Sequence, residues 1–193
     1  MSCLGATFCL HQNVAPLPPP TTGIEQVDSI KVLGVTLSSD LTITKHIDTT
    51  LTSCAQSLFA LKTLRAHGMP YHTLCDVYRA TTLAKILYAS PAWWGFTTAS
   101  DRQRVEAFIA KSKKLKLYAE SDPNFENLCK KADDAFFQKI ISNSEHTLHY
   151  LLPPTTTHTY DLRHRRHNLK LPSVSSTPFH QNFLSRLLLK DCY

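Results

Sequence analysis

The chain has 193 residues, 42% of them hydrophobic, and its 21 Lys and Arg against 15 Asp and Glu leave a formal net charge of +6. That length and apolar content suffice for one packed core or two small ones, and the basic balance suits a nucleic-acid or anionic-surface partner. Scattered cysteines without a C-x-x-C pair argue against a disulfide framework, the opening MSCLGATFCL lacks a basic stretch and cleavage site, and no run approaches the roughly 18 apolar residues of a membrane span, so the chain reads as intracellular, not secreted and not membrane-bound.

Residues 1–23 end in PLPPPTTG, which disfavours helix and central strand and reads as a linker or ragged edge. Segments 24–27 and 30–37, rich in β-branched residues, read as a hairpin turning at Asp28-Ser29, with Leu33, Gly34 and Val35 inside a buried strand. Ser38-Ser39-Asp40 offers helix caps, after which Ile47, Leu51, Cys54, Leu58 and Leu61 keep one helical face apolar until His67-Gly68. Pro70 opens a second helix through Leu74, Val77, Thr81 and Leu87 toward Pro91. Ser100 caps a third, from 101 to about 118, and Asp122-Pro123 starts a fourth, through Leu128, Ala132, Phe136 and Ile140 toward Leu148. Beyond Pro153-Pro154 the tail of 153–193 is irregular, up to a last helix over 181–190. The fold class is therefore mainly α: a short N-terminal β-hairpin over 24–37, a bundle of three to four helices within 38–152, and the irregular tail.

Among chemistry-bearing groups, the basic segment stands out. Arg102, Arg104, Lys111, Lys113, Lys114 and Lys116 face only Glu106 between 102 and 118, and cations spaced along a helix can follow a phosphate backbone; Lys62 and Arg65 add to them from the end of the first helix. A solvated helix face is the plainer reading of the same run. A second basic stretch, Arg163, Arg165, Arg166 and Lys170 with His164 and His167, lies in the tail. Trp93 and Trp94 read as core before they read as base-stacking surfaces. His146, His149, His158, His164 and His167 lack the paired spacing of a zinc site, so no metal ligand is assigned. Asp133-Asp134, within a helical period, read as solvated surface acids, and no catalytic residue is assigned.

The order of several strings resembles the C-terminal end of a LINE-type (non-LTR) retrotransposon reverse transcriptase. They are Lys31-Val32-Leu33-Gly34-Val35-Thr36-Leu37 followed by His46-Ile47, then Leu58-Phe59-Ala60-Leu61-Lys62-Thr63-Leu64-Arg65, Tyr78 through Tyr88-Ala89-Ser90-Pro91-Ala92-Trp93, His149-Tyr150-Leu151-Leu152-Pro153-Pro154, Leu162-Arg163-x-Arg165-x-His167, Leu171-Pro172 and Asn182-Phe183-Leu184-x-Arg186-x-Leu188. The resemblance implies that 24–37 ends a palm, that 38–152 is a helical thumb and connector, and that fingers and metal-binding palm lie upstream of Met1. It implies further that the whole enzyme is an RNA-directed DNA polymerase using Mg²⁺, that this part holds no cofactor, and that its partner is RNA or an RNA/DNA duplex. The strand at Gly34 lies near the primer terminus in that family. The alternative is a stand-alone basic helical module that binds nucleic acid without catalysis.

Overall fold

The computed structural model of the chain describes residues 23, 25–156, 167–171 and 180–190, mainly helical behind an N-terminal antiparallel hairpin. Strand β1 (Ser29–Val32) pairs with β2 (Val35–Ser38) in the register Ile30↔Leu37 and Val32↔Val35. The reversal therefore falls at Leu33-Gly34, not at the expected Asp28-Ser29. The φ values there, 47° and 89°, are the left-handed pair of a two-residue type I′ turn. Asp28 instead prolongs the ladder, its carbonyl accepting the Ser39 N–H at 2.9 Å. Leu33, expected in a buried strand, is 87% exposed at the turn.

Helix α1 (Thr44–Ala66) starts later than the Ser38-Ser39-Asp40 string suggests. Those polar residues satisfy each other first: the Asp40 carboxylate accepts the Thr42 N–H and hydroxyl, and the Ser38 hydroxyl donates to the Thr42 carbonyl, closing a local turn before the helix begins. The expected apolar stripe is otherwise as spaced, with Ile47, Cys54, Leu58 and Leu61 buried. Gly68, at φ 85°, ends α1 by letting the Met69 N–H reach back to the Leu64 carbonyl at 3.1 Å.

Helix α2 (Tyr71–Val77) continues through a π-helical segment (Tyr78–Leu83) into α3 (Ala84–Leu87). Leu74, Tyr78, Thr82 and Ile86, four residues apart, are all buried on this rod, which packs along α1. Ala89 then takes a left-handed conformation (φ 51°) to turn the chain into α4 (Ser90–Trp93) and a 3₁₀ turn (Trp94–Phe96). Trp93 is 1% exposed, stacks on Phe125 at 6.2 Å and donates its indole N–H to the Tyr88 carbonyl at 2.8 Å. Both tryptophans belong to the core, as their bulk suggests.

Helix α5 (Ala99–Lys114) is capped by Thr98 and not by Ser100: the Thr98 hydroxyl accepts the Asp101 N–H while the Asp101 carboxylate accepts the Thr98 N–H, a reciprocal capping box. Asp101, buried, also accepts the Thr44 hydroxyl at 3.0 Å, which pins the start of α1 to the start of α5. Helix α6 (Phe125–Ser142) is capped by Asn124 and stops short of Leu148, where a separate 3₁₀ turn (His149–Leu151) follows. Inside the tail an isolated antiparallel bridge joins Thr155 to Leu169. The expected last helix forms as α7 (Phe183–Leu189) and lays Leu187 and Leu188 on Phe137 of α6. Among the described residues, no helix is long and apolar enough to cross a membrane.

One polar node joins the 3₁₀ turn after α4 to α6 and α7. The Asp133 carboxylate, 3% exposed, accepts the Trp94 indole N–H and the Arg186 guanidinium through one oxygen, both at 2.6 Å. Arg186 also stacks on one side of the Trp94 ring at 4.9 Å, with Arg102 at 5.0 Å from it. Lys190 closes on Asp134 at 2.7 Å. The two acids expected to be solvated thus hold the tail helix, a correction that needed Arg186, 53 positions away, to be visible. Burial pushes the Asp133 carboxyl above its ordinary value, more than the Trp94 hydrogen bond and the Arg186 charge bring it down. Gly95 makes room for the contact: a Cβ there would stand 2.2 Å from the Gln181 carbonyl and 2.5 Å from Arg186 Nε.

Two expectations follow for stability. Gly95→Ala displaces α7: amide exchange at Leu187 and Leu188 accelerates while that of α1 is unchanged, and equal protection in both proteins would contradict the docking. His46, 6% exposed, has its imidazole held below the ordinary 6.5 by burial and then by Lys31. The unfolded chain therefore takes up the proton first, so stability is complete above about 6.5 and declines as pH falls through that value toward the lower folded one. Denaturant melts at pH 7.5 and 5.5 should show the loss, and His46→Gln should flatten it.

Candidate nucleic-acid interface

Helices α1 and α5 lie side by side and run in the same direction. Thr44 meets Asp101 at their starts, Arg104 pairs with Asp48 a turn later, and the Arg65 guanidinium donates to the Leu115 carbonyl at 2.6 Å at their ends. This alignment carries the last turns of both helices to one end of the bundle. Lys62 and Arg65 arrive there from α1, and Lys111, Lys113, Lys114 and Lys116 from α5, although some fifty residues separate the two groups in the chain.

The six cations at this end are not equivalent. Lys113 Nζ donates to the Glu120 and Asp122 carbonyls at 2.9 and 3.0 Å and lies 5.6 Å over the Tyr118 ring, so it clamps the loop that follows α5. Arg65 is partly committed to Leu115. Lys62, Lys111, Lys114 and Lys116 are exposed, and among the described residues they form no ion pair with a carboxylate. Lys62 with Arg65, and Lys111 with Lys114, are each three residues apart and share a helix face. Cations in a last turn also complement the helix dipole, which is the structural share of their role.

Lys116 occupies an unusual place. It is the left-handed residue that ends α5 (φ 58°), its N–H bonding the Lys113 carbonyl at 2.7 Å while the Leu117 N–H reaches the Ser112 carbonyl at 3.1 Å. Glycine is the residue that position favours, and a side chain there is strained by about 1 kcal/mol. The strain holds a cation at the tip of the helix, outside its cylinder.

Arg102 and Arg104 do not join this end. Arg104 lies about 15 Å from Lys114, ten residues along the helix at 1.5 Å each. Arg104 is shared between Asp48 and Asp101, and Arg102 donates to the Thr97 hydroxyl at 2.9 Å beneath the Trp94 ring. The structure thus brings Lys62, Arg65, Lys111, Lys113, Lys114 and Lys116 together, while Arg102 lies under the Trp94 ring and Arg104, still exposed, pairs with Asp48 and Asp101 away from that end. Of the second basic stretch, Arg163, His164, Arg165 and Arg166 lie outside the described residues, as does the Pro-rich start.

One further group sits at this end: the half-buried Cys75 thiol donates to the Lys116 carbonyl at 3.6 Å. Burial pushes the Cys54 thiol to about 11 and the Cys129 thiol to about 12, which makes both inert core groups. His149 Nδ1 is engaged by the Ile140 carbonyl and His167 Nε2 by the Leu188 carbonyl. Among the described residues no three His, Cys, Asp or Glu side chains converge. Asp133 and Asp134 do not fit a Mg²⁺ pair: Asp133 is buried against Arg186 and Trp94, and Asp134 is closed by Lys190.

A second cationic feature was not visible in the sequence. A cleft of about 650 Å³ opens between the hairpin, the first half of α1 and the rod of α2 and α3, with Lys31 and Lys85 on its walls and His46 at its floor. Their separation in the chain leaves no local signal.

Comparison with protein-family models, with curated proteins and with solved structures found no match to this chain.

The roles assigned to the lysines differ in what they predict. Lys113→Ala should destabilise the fold by about 1–2 kcal/mol through loss of its two carbonyl bonds, whereas Lys114→Ala should change stability by less than about 0.5 kcal/mol. Denaturant midpoints of the two variants measure the difference, and equal midpoints would remove the distinction.

Proposed function

We propose that the chain is the thumb and tail of an RNA-directed DNA polymerase of the LINE retrotransposon type, contacting a template-primer duplex and performing no chemistry itself. The observation that carries this reading is the convergence of Lys62, Arg65, Lys111, Lys114 and Lys116 at one end of the parallel pair α1 and α5. Such an end suits a phosphate backbone, because each lysine that neutralises a phosphate releases a counterion to solution. The string from Lys31 to Leu37, read as a palm end, leads directly into α1, in the order the resemblance implies. The polymerase centre with its Mg²⁺ would be supplied by a palm encoded elsewhere, and the residues of this chain would bind and orient the duplex.

A second reading is favoured by one observation. The hairpin, α1 to α5 and the start of α6 share a continuous apolar cluster from Val35 to Cys129, so these elements have a core of their own. A stand-alone binding module needs only that core and the cationic end. The two readings part on the preceding chain: an upstream reading frame encoding an aromatic-Ala-Asp-Asp turn supports the polymerase fragment, and its absence supports the module.

Binding to an RNA/DNA hybrid, measured by fluorescence anisotropy across a salt series, tests both. Affinity should fall steeply with salt, with a log–log slope of roughly −0.7 to −0.9 per phosphate neutralised. The combined Lys111→Ala, Lys114→Ala and Lys116→Ala variant should flatten the slope by about 2, while Arg104→Ala should leave it unchanged. Binding that ignores salt, or a slope equal in the triple variant, would defeat the assignment of this end. Template-dependent DNA synthesis by the chain alone would defeat the non-catalytic reading.

A further inference from the structure

The cleft between the hairpin and the two long helical rods has the composition of an anion site. Lys31 reaches it from β1 and Lys85 from α3; the Thr36, Thr50 and Ser53 hydroxyls line it between them, and among the described residues no carboxylate does. Lys85 Nζ donates to the Ser53 hydroxyl at 2.8 Å, which leaves the Ser53 proton available to an acceptor in the cleft. The floor supplies the second observation. His46 is more than nine-tenths buried, its ring stands edge-on to Trp93 at 5.2 Å, and its ring nitrogens make no hydrogen bond among the described residues, yet the side chain lines the cleft. Its ring nitrogens are not among the buried polar atoms left without a partner, so they open on the cleft, within reach of a ligand there.

We infer that this cleft binds a phosphate group, with Lys31 and Lys85 as the flanking cations, Thr36, Thr50 and Ser53 as hydroxyl donors, and the His46 imidazole donating from the floor. The inference is independent of the cationic end formed by α1 and α5, since none of its residues is shared. Phosphate suits the set better than a carboxylate ligand does, because its three terminal oxygens can engage two walls and a floor at once. Lys31 and Lys85 share the cleft with His46 and Tyr88, and burial and then the Lys31 charge disfavour protonation of the imidazole, an effect that a bound dianion opposes. Gly34 keeps the entrance narrow: its absent Cβ would stand 3.3 Å from the Tyr88 ring, whose hydroxyl donates to the Leu33 carbonyl and ties the turn to the rod.

The test follows the imidazole resonances of His46 by NMR in the full chain while inorganic phosphate is added at constant ionic strength. Saturable shifts are expected at His46 and not at exposed His72, with the His46 titration midpoint moving up by about one pH unit. The Lys31→Ala and Lys85→Ala double variant, both at exposed positions, should weaken the response about tenfold or more with the fold intact by circular dichroism. Thymidine 5′-monophosphate and a single-stranded oligothymidylate of eight residues then compete at equal phosphate. Stronger displacement by the oligomer identifies a backbone phosphate as the source, and equal or stronger displacement by the monomer identifies a free phosphomonoester. The Lys111, Lys114 and Lys116 triple variant should retain the whole response, which separates failure of this site from failure of the duplex-binding end. No saturable change at His46, the same change at His72, or a response undiminished in the double variant would overturn the inference.

Discussion

The Asp133 carboxylate, buried between the Trp94 indole and the Arg186 guanidinium, is the contact on which the C-terminal part of the structure depends. A charge removed from water has to be compensated, and the elevated Asp133 value records that the compensation is incomplete. Its second oxygen has no partner among the described residues, so removal of Arg186 would leave a poorly compensated charge in the core. A node of this kind does little for net stability, but it is selective. Apolar contact alone would let Leu187 and Leu188 slide along α6, whereas only one position of α7 brings Arg186 to both Asp133 and the Trp94 face. Gly95 completes the selection by admitting backbone where any side chain would collide.

The cationic end has its origin in a different constraint. Because Asp101 ties the starts of α1 and α5 together through the Thr44 hydroxyl, the direction of both helices is common and their last turns coincide. Like charges gathered in this way repel, and the helix dipoles offset part of that repulsion. What remains is an exposed cationic surface in which Lys62, Lys111, Lys114 and Lys116 pair with no carboxylate among the described residues. The arrangement separates structural cations, such as Arg104 and Lys113, from those left to solvent, although all of them look alike in a charge count.

Periodicity made the long helices legible. The stripe from Ile47 to Leu61 is a local property of the chain, and so are the glycine that ends α1 and the hairpin that precedes it; in α6 the buried column runs through Cys129, Asp133 and Phe137 to Ile140, one residue on from the expected Leu128, Ala132 and Phe136. What periodicity could not deliver depended on partners far away. Asp133 looked solvated until Arg186 arrived, and Thr98 outcompeted Ser100 as a cap because Asp101 answers it three residues on. The hairpin turn departs from the expected position for a local reason: Leu33 is an uncommon occupant of a left-handed position, and Asp28-Ser29 is a commoner turn signal than Leu33-Gly34. The division of the basic residues between two ends of a helix is a matter of three-dimensional direction that no count of lysines contains. The cleft of Lys31, His46 and Lys85 was invisible for the same reason.

The π-helical stretch within the second rod has a geometric consequence. In a regular helix, side chains four positions apart advance about 40° around the axis at each step, so Leu74, Tyr78, Thr82 and Ile86 would spiral away from a neighbour. A wider turn rotates less per residue and winds that row back, which keeps all four against α1. The rod is thereby held in phase by one residue more than a regular helix of the same rise would contain. Its azimuth, and with it the direction in which Lys85 leaves the axis, is set in the middle of the rod and not at either tip.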